Sequence, residues 1–450
     1  MALTNISTGE LVTAAWLNAI VDRVNAFLIN ITGGIWTGTV QKVIQSFRGL
    51  HLRTHPNALA APLQVALLKL DEVVMSDGAR YLPTSFPLTA DVTVSGLGGL
   101  DTGTETASTW YEVYLVGKSS TGANADLRMM LHRARTYTID QQQTTGAASS
   151  SLRSGPTTNI KLAQSFQVSS SGPLPFIDIS IGRTGSLTGT FWITVEASSG
   201  GNPSGTALAT SDKLDAGAVP ATATQWIRFP FRSSPTFTSA TTYYIVLQGD
   251  YATNGTAYVA WNQATTNVYA NGQHYTFNGS SWTATATADF QFKVAVTLND
   301  TALTMPTGYD QSVKLGYVYN NASSNFVAFT AYDRDVKRLT SSAGANDWGL
   351  STSNVPLLMD LSSLVPPVRV ILRNSGQATV AGLGMVAAGV PDGYSTLALY
   401  GDSGSSFVSV PAANYAFDMP DVYTEYQGAY TYITGGAATG HIYLTGWRWI

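Results

Sequence analysis

Hydrophobic and polar residues alternate through most of the chain after residue 91, in short runs separated by turns rich in Gly, Ser, Asn and Asp. A period of two places successive side chains on opposite faces of a β-strand. In residues 190–196, this alternation puts Phe191, Ile193 and Val195 on one face, and Trp192 on the other. Similar runs recur at residues 110–116, 126–132, 225–231, 242–248, 289–296 and 313–319. The pattern predicts a mainly β protein.

Two segments before residue 91 show the three-to-four spacing of a helix instead. Residues 13–31 begin at Thr13, a favourable N-cap residue. Their apolar stripe consists of Leu17, Ile20, Val24, Phe27 and Ile31. This heptad-like stripe fits a short bundle of several copies of the chain, and it fits equally a helix packed on its own domain. A second helix is predicted in residues 57–75, with Leu59, Leu63, Ala66, Leu67, Leu70 and Val74 on one face.

Residues 160–298 read as a complete β-domain placed inside another domain. They contain about seven to nine predicted strands, the number typical of a β-sandwich or jelly roll. A Gln-, Thr- and Ser-rich run at residues 141–151 precedes this block and a polar segment at residues 298–300 follows it, as is common at domain boundaries. The predicted organisation is a helical attachment region over residues 1–90, a discontinuous β-rich carrier over residues 91–150 and 299–450, and an inserted sandwich over residues 151–298.

Composition excludes several classes of function. The 450 residues allow about two to four domains. Only 12% of residues are charged and the net charge is -4, so there is no basic stripe for nucleic acid. No apolar run is long enough for membrane insertion, and the first residues lack a secretory signal pattern, which predicts assembly in a cytosol. The absence of Cys excludes disulfides and thiolate chemistry.

Short motifs that suggest catalysis or metal binding lack the partners that such chemistry needs. Residues 401–404, Gly-Asp-Ser-Gly, match the segment around the nucleophile of chymotrypsin-like proteases, but Ser405 replaces the usual Gly and no His lies in a matching segment. His51 and His55 have the helical spacing of metal ligands, yet Pro56 and an extended pattern surround them. We predict no catalytic residue, cofactor or metal site from these motifs.

Carboxylate pairs need the same test, because glycoside hydrolysis requires two suitably separated carboxyl groups. Asp333 lies near Asp335, and Asp418 lies near Asp421 and Glu425. Closeness along the chain does not establish the separation across a glycosidic bond. The chain also lacks the repeat period of a β-helical spike. We therefore predict a protein that is not an enzyme.

The insert is rich in aromatic residues, which suit sugar rings because a sugar has an apolar face as well as hydroxyl groups. Aromatic residues also fill sandwich cores, and we expect about half of them to be buried. The candidates for a glycan-binding surface are those nearest to predicted turns: Tyr251, Trp261, His274, Tyr275 and Trp282.

Several short segments resemble proteins of tailed bacteriophages. Residues 164–166 (Gln-Ser-Phe), 200–211 and 241–247 are similar to jelly-roll modules of bacterial surface proteins and phage appendages. Residues 98–103, 108–115 and 305–309 (Met-Pro-Thr-Gly-Tyr) resemble a recurrent domain of phage fibre and virion proteins, in which the hairpin strand runs almost directly into the Pro-x-Gly-Tyr segment. Here residues 151–298 interrupt that pattern. Residues 9–18 are similar to the starts of phage tail and fibre proteins.

This resemblance implies a structural protein of a phage virion, assembled in the cytoplasm of a bacterial host. The expected form is a homotrimeric tail fibre or fibre-like appendage that attaches to other virion proteins by its N-terminal region and contacts a host cell-surface glycan. The alternative is a tail adaptor, collar or capsid decoration protein with a purely structural role. A glycan-cleaving tailspike is the third and least favoured class.

Overall fold

A computed structural model describes residues 46–54, 62–119 except 77, 79, 82 and 84, 126–219, 224–299, 301–339, 347–349, 357–378, 384–389, 405–409, 415–424, 428–434 and 440–449. In this part of the chain the regular structure is β-strand, with one 3-10 turn and no α-helix. The mainly β fold class is confirmed. The predicted helix of residues 13–31, with its stripe from Leu17 to Ile31, lies outside the described residues.

The carrier begins with eight strands among the described residues. They are β1 (Ser46–Arg48), β2 (His51–Thr54), β3 (Gln64–Lys69), β4 (Glu72–Val74), β5 (Arg80–Tyr81), β6 (Leu88–Asp91), β7 (Thr109–Gly117) and β8 (Arg128–Arg133).

The inserted sandwich follows. Its strands are β9 (Thr136–Gln143), β10 (Ala148–Leu152), β11 (Lys161–Gln167), β12 (Gly172–Pro173), β13 (Phe176–Thr184), β14 (Thr190–Ser199), β15 (Asn202–Thr210), β16 (Leu214–Asp215), β17 (Gln225–Pro230), β18 (Thr236–Phe237), β19 (Thr242–Gly249), β20 (Tyr258–Ala264), β21 (His274–Phe277), β22 (Trp282–Thr285), β23 (Asp289–Phe290) and β24 (Phe292–Leu298). The 3-10 turn is Ala216–Ala218.

The carrier then resumes. Its remaining described strands are β25 (Gln311–Asn320), β26 (Phe329–Tyr332), β27 (Asp335–Arg338), β28 (Asp347–Gly349), β29 (Leu357–Asp360), β30 (Val370–Ala378), β31 (Gly384–Gly389), β32 (Ser405–Ser409), β33 (Tyr415–Thr424), β34 (Gly428–Thr434) and β35 (Gly440–Trp449).

The second predicted helix is wrong over the residues that the structure describes. Within residues 57–75, β3 and β4 take the place of helical turns. Val65, Ala66 and Leu67 are all fully buried, as in a strand covered on both faces. A continuous apolar run satisfies helix and strand spacing equally, and the pairing of β3 with β2 and β6 decides between them.

The largest hydrophobic core in the described part of the carrier is built from chain segments on both sides of the insert. β7 and β25 pair antiparallel along their lengths, with Tyr111 opposite Val318, although the sandwich separates them in sequence. The rings of Trp110 and Trp447 meet edge to face, with centroids 5.6 Å apart. The largest described sheet has the order β33-β30-β35-β27-β26-β2-β3-β6, with β28 beside β35. Strands before residue 91 therefore belong to the carrier core.

The insert is a sandwich of two antiparallel sheets, as predicted. One described sheet has the order β10-β20-β13-β24-β9, with β17 beside β13 and β23 beside β20; the other has the order β15-β14-β19-β11-β21-β22, with β16 beside β14. Their inner faces meet in a second hydrophobic core. Ring centroids of Phe191 and Phe229 lie 5.9 Å apart across it, and those of Phe166 and Phe292 lie 6.4 Å apart.

The sandwich sheets include β9 and β10, which start before the predicted boundary at residue 151. The polar run at residues 141–151 therefore contributes to both strands. β9 pairs with β24, so that Thr136 lies opposite Leu298. The first and last strands of the insert are thus neighbours in one sheet, and the insert meets the carrier at adjacent strand ends.

Candidate functional site

Two of the aromatic residues predicted to bind glycan lie in the sandwich core. Trp261 is 0% exposed and stacks on Phe290 with centroids 4.2 Å apart, and its Nε1 donates to the Gln291 carbonyl at 2.8 Å. Tyr251 is 1% exposed, and its hydroxyl donates to the Leu152 carbonyl at 2.8 Å. Burial raises the pKa of Tyr251. A ring without an exposed face cannot stack on a sugar, so neither residue belongs to a binding surface.

His274 is also a buried residue. Its ring centroid lies 4.2 Å from that of Phe290. Burial lowers the pKa of His274 to about 4, so the ring is neutral at neutral pH. Both ring nitrogens are buried and have no hydrogen-bond partner among the described residues. This side chain is likewise excluded from a binding surface.

The remaining two predicted residues, Tyr275 and Trp282, lie on the outer face of the second sheet. Trp282 is partly exposed, and its ring centroid lies 5.0 Å from that of Phe277. Tyr275 is covered and meets Tyr244 edge to face at 5.2 Å. The Nε2 of Gln273 donates to the Tyr275 hydroxyl at 2.7 Å. Tyr275 is therefore a buried packing residue of this outer face, whereas the ring of Trp282 reaches the surface.

Strand register places Trp282 at the end of a row that crosses the sheet. Trp192 on β14 lies opposite Gln248 on β19. The register between β11 and β19 brings Lys161 beside Gln248. Lys161 lies opposite Phe277 on β21, and Phe277 lies opposite Trp282 on β22. All five side chains are partly exposed, and we call them the aromatic row.

The aromatic row spans four strand intervals of about 4.8 Å, or about 19 Å in all. A surface of this length suits an extended ligand that crosses the strands. The two indole rings mark its ends, and an amide and an ammonium group lie between them. This combination provides apolar ring faces and hydrogen-bond donors along one line.

The Trp192 end of the row is held by a lysine and a carboxylate. The Nζ of Lys213 lies 4.2 Å from the centre of the Trp192 ring and 3.2 Å from Asp250 Oδ2. Asp250 accepts hydrogen bonds from the backbone and side chain of Thr190, and these bonds lower the pKa of Asp250 to about 2. The carboxylate is therefore ionised at neutral pH, and it keeps the lysine against one face of the indole.

The centre of the row is positioned by a chain of polar contacts. The Nε2 of Gln248 donates to Thr194 Oγ1 at 3.2 Å, and Thr194 Oγ1 donates to Glu196 Oε1 at 3.2 Å. Glu196 Oε2 accepts from the Gly205 amide at 2.6 Å. Glu196 is buried, and both of its carboxyl oxygens accept hydrogen bonds within this network. The five row residues include no carboxyl group, so the row lacks the paired carboxyl groups of a glycosidase.

Trp192, Gln248, Lys161 and Phe277 were not among the predicted site residues. The alternation of residues 190–196 already turns Trp192 away from the core. The other three could not be grouped with it from the sequence, because only the pairing of β14, β19, β11 and β21 brings them into line.

The predicted carboxylate pair Asp333 and Asp335 lies on the carrier, beside an open groove. The Nη2 of Arg448 lies 2.5 Å from Asp335 Oδ2, and the Nη2 of Arg373 lies 2.9 Å from Asp335 Oδ1. Burial alone would raise the pKa of Asp335, but the hydrogen bonds from these two arginines outweigh it and lower the pKa. An ionised carboxylate held in this way is not a general acid at neutral pH.

The other sequence motifs give no site in the described residues. Asp418 and Asp421 belong to β33, but their side chains lie outside the described residues, as do Glu425, His55 and residues 401–404. His51 lies in β2. No cluster of three or more His, Cys, Asp or Glu suited to a metal ion occurs in the described ranges. A helix with the length and hydropathy to cross a membrane is not found there either.

No protein-family model matches the sequence, and no curated protein matches it. Among solved structures, the chain is similar to the M60 catalytic domain with the CBM51-1 and CBM51-2 domains of ZmpB from Clostridium perfringens. The sequence identity is 8% and the TM-score is 0.14, with 89% of this chain and 51% of that chain covered. The chain thus spans about half the length of that structure.

Proposed function

We propose that this protein is a non-enzymatic appendage of a phage virion, a tail fibre or fibre-like protein, and that its inserted sandwich binds a host-surface glycan along the aromatic row. The observation that carries the binding proposal is the alignment of Trp192, Gln248, Lys161, Phe277 and Trp282, all partly exposed, across five neighbouring strands. The virion assignment, and with it trimer formation and attachment through the N-terminal region, rests on the sequence resemblance.

The chemistry of the row favours binding over cleavage. Aromatic rings stack on the apolar faces of sugars, and amide or ammonium groups between them donate to hydroxyl groups. Lys213 contacts the Trp192 ring and Phe277 contacts the Trp282 ring, so that little side-chain freedom is lost when a ligand binds. A polymer that runs across the strands can contact both indoles at once.

The test uses the full chain and a panel of purified bacterial O-polysaccharides and capsular polysaccharides. We expect the wild-type protein to bind at least one polymer without shortening it. The double variant Trp192→Ala/Trp282→Ala is expected to bind that polymer at least about tenfold more weakly, because anchor aromatics carry a large share of binding free energy. Surface plasmon resonance gives the affinity, and size-exclusion chromatography of the polymer gives its length.

Trp226→Ala is the matched control. Trp226 is also partly exposed and also lies under a lysine, with the Nζ of Lys293 4.5 Å from its ring centre, but it belongs to the opposite sheet. This variant should bind as the wild type does. Equal binding by the double variant and the wild type would remove the row from the proposal. Failure of the folded wild type to bind any polymer would favour the purely structural alternative.

A further inference from the structure

A second surface with the geometry of a ligand site lies on the carrier. An open groove of about 620 Å³ is bounded by the turn between β26 and β27, by the end of β35 and by β1. The lining residues are Phe47, Tyr332, Asp333, Arg334, Asp335, Ile371, Arg448 and Trp449. We call it the Arg334 groove. Its volume is in the range of small-molecule sites, about 300–1,000 Å³.

The aromatic side chains of the groove are held in fixed orientations. Tyr332 is 59% exposed, and one face of its ring stacks on His51 with centroids 4.5 Å apart and planes 25° apart. Trp449 meets Tyr317 edge to face at 6.1 Å and contacts Phe47 at 5.9 Å. The groove therefore offers an exposed tyrosine and a partly exposed tryptophan whose positions are set before any ligand binds.

The charges of the groove leave one cation without an anionic partner. Arg448 and Arg373 both pair with Asp335. The guanidinium of Arg334 lies 5.2 Å from the centre of the Trp449 ring, and none of the described carboxylates pairs with it. Arg334 is exposed in the turn that follows β26. Its planar donors are available for a carboxylate that enters from solvent.

The neighbouring carboxylate of Asp333 is engaged with the backbone. Asp333 Oδ1 accepts a hydrogen bond from the Leu50 amide at 3.0 Å, and the Asp333 amide donates to the Leu50 carbonyl at 3.0 Å. This reciprocal contact fixes the turn and positions Arg334. Arg334 and Arg448 balance Asp333 and Asp335 among the lining residues, and Arg373, outside the lining, adds a further cation against Asp335.

We propose that the Arg334 groove binds a sugar that bears a carboxylate, with Arg334 holding the carboxylate and Tyr332 stacking on the sugar ring. A guanidinium forms paired hydrogen bonds with a carboxylate, a geometry that a neutral sugar does not match. The exposed tyrosine supplies the apolar face that a sugar ring requires. This site differs from the aromatic row in position and in the charge of its ligand.

The test titrates the full chain with glucuronate, with glucose and with a short acidic peptide, followed by isothermal calorimetry and ligand-observed NMR. We expect glucuronate to bind about tenfold more tightly than glucose. Arg334→Gln should remove this preference, and Tyr332→Ala should weaken the binding of both sugars. Lys69→Gln is the control, because Lys69 is an exposed cation of the same sheet, on β3 and outside the groove.

Equal affinities of the wild type for glucuronate and glucose would overturn the proposal, as would an unchanged preference in Arg334→Gln. Tighter binding of the acidic peptide than of glucuronate would assign the groove to a protein ligand and would equally reject it. The Trp192→Ala/Trp282→Ala variant should keep full glucuronate binding. The outcome for the groove is therefore separate from the outcome for the aromatic row.

Discussion

The buried pair of His132 and Asp101 predicts that the attachment of the insert to the carrier weakens at high pH. The Nδ1 of His132 lies 2.7 Å from Asp101 Oδ2, and its Nε2 lies 3.0 Å from the Thr301 carbonyl oxygen. An ionised carboxylate and a carbonyl only accept hydrogen bonds, so both ring nitrogens must donate and the ring must be an imidazolium. Asp101 Oδ2 also accepts from the Thr304 amide at 2.9 Å. The pair anchors residues 301–304, which follow the sandwich, to β8.

The sign of the pH dependence follows from both partners. Burial lowers the pKa of His132, but the hydrogen bond and charge of Asp101 outweigh it and raise the pKa above 6.5. Burial raises the pKa of Asp101, but its hydrogen bonds outweigh burial and lower the pKa below 3.8. The hydrogen bond from His132 has the largest lowering effect. The stabilisation of the fold by His132 is complete below pH 6.5 and is lost as the pH rises through the raised pKa of His132. The stabilisation of the fold by Asp101 is complete above pH 3.8 and is lost as the pH falls through the lowered pKa of Asp101.

The magnitude follows from the burial of the two side chains, which are 5% exposed for His132 and 1% exposed for Asp101. His132→Gln removes the cation and leaves the buried carboxylate without a charge partner, which costs about 3–5 kcal/mol at about pH 5. Once the pH exceeds the raised pKa of His132, the wild-type imidazole is neutral, and the same substitution costs only the value of a hydrogen bond, about 0.5–1.5 kcal/mol.

Two measurements check this prediction. Urea unfolding at about pH 5 and about pH 9 gives the free energies of the wild type and His132→Gln. Hydrogen exchange in residues 301–309 reports the local anchor, and it should speed up in the variant at the lower pH. His51→Gln is the control, because burial lowers the pKa of His51 and the alkaline loss should remain in that variant. An equal effect of His132→Gln at both pH values would refute the reasoning.

Two further predictions concern the stability of the sandwich. Asp178 pairs with Arg228 through contacts of 2.8 and 2.9 Å, and the two side chains are 2% and 6% exposed. Asp178→Ala would leave the buried guanidinium without this carboxylate, so it should lower the free energy of unfolding in urea titrations by about 3–5 kcal/mol. The matched change in the exposed pair of Asp212 with Arg232 should have little effect, and equal losses would contradict the burial argument. A Cβ on Gly272 would lie 1.9 Å from the Ser165 carbonyl oxygen. Gly272→Ala should therefore lower the free energy of unfolding by about 1–3 kcal/mol in thermal or urea unfolding. Unchanged stability of this variant would contradict the steric argument.

Strand alternation was the most informative property of the sequence. The runs at residues 110–116, 190–196 and 242–248 lie in β7, β14 and β19. Alternation failed where nearly every position is apolar, as in β3, because such a run does not say which faces are covered. It failed again in the polar run at residues 141–151, where Gln, Thr and Ser side chains lie on partly exposed strands. In both cases the neighbouring strand, which the local sequence does not contain, decides the structure.

The same limit explains the aromatic residues. Val259 and Trp261 share a face of β20, so the alternation itself assigns Trp261 to the core, whereas nearness to a turn suggested exposure. Nearness to a turn is the weaker criterion, because a strand keeps its inward face up to its last paired residue. Trp282 is partly exposed, but Trp192, at the other end of the row, is 90 residues away in the chain and comes into line with it only through the register of the sheet.

The position of the insert has a geometric cause. β9 and β24 are hydrogen-bonded neighbours, so the chain leaves the carrier after β8 and returns almost to the same point before β25. β25, β7 and β8 can therefore pair as a continuous three-stranded sheet, as though no domain intervened. Each body keeps its own hydrophobic core. The His132–Asp101 pair lies at this junction, and it holds the returning chain without burying the outer face that carries the aromatic row.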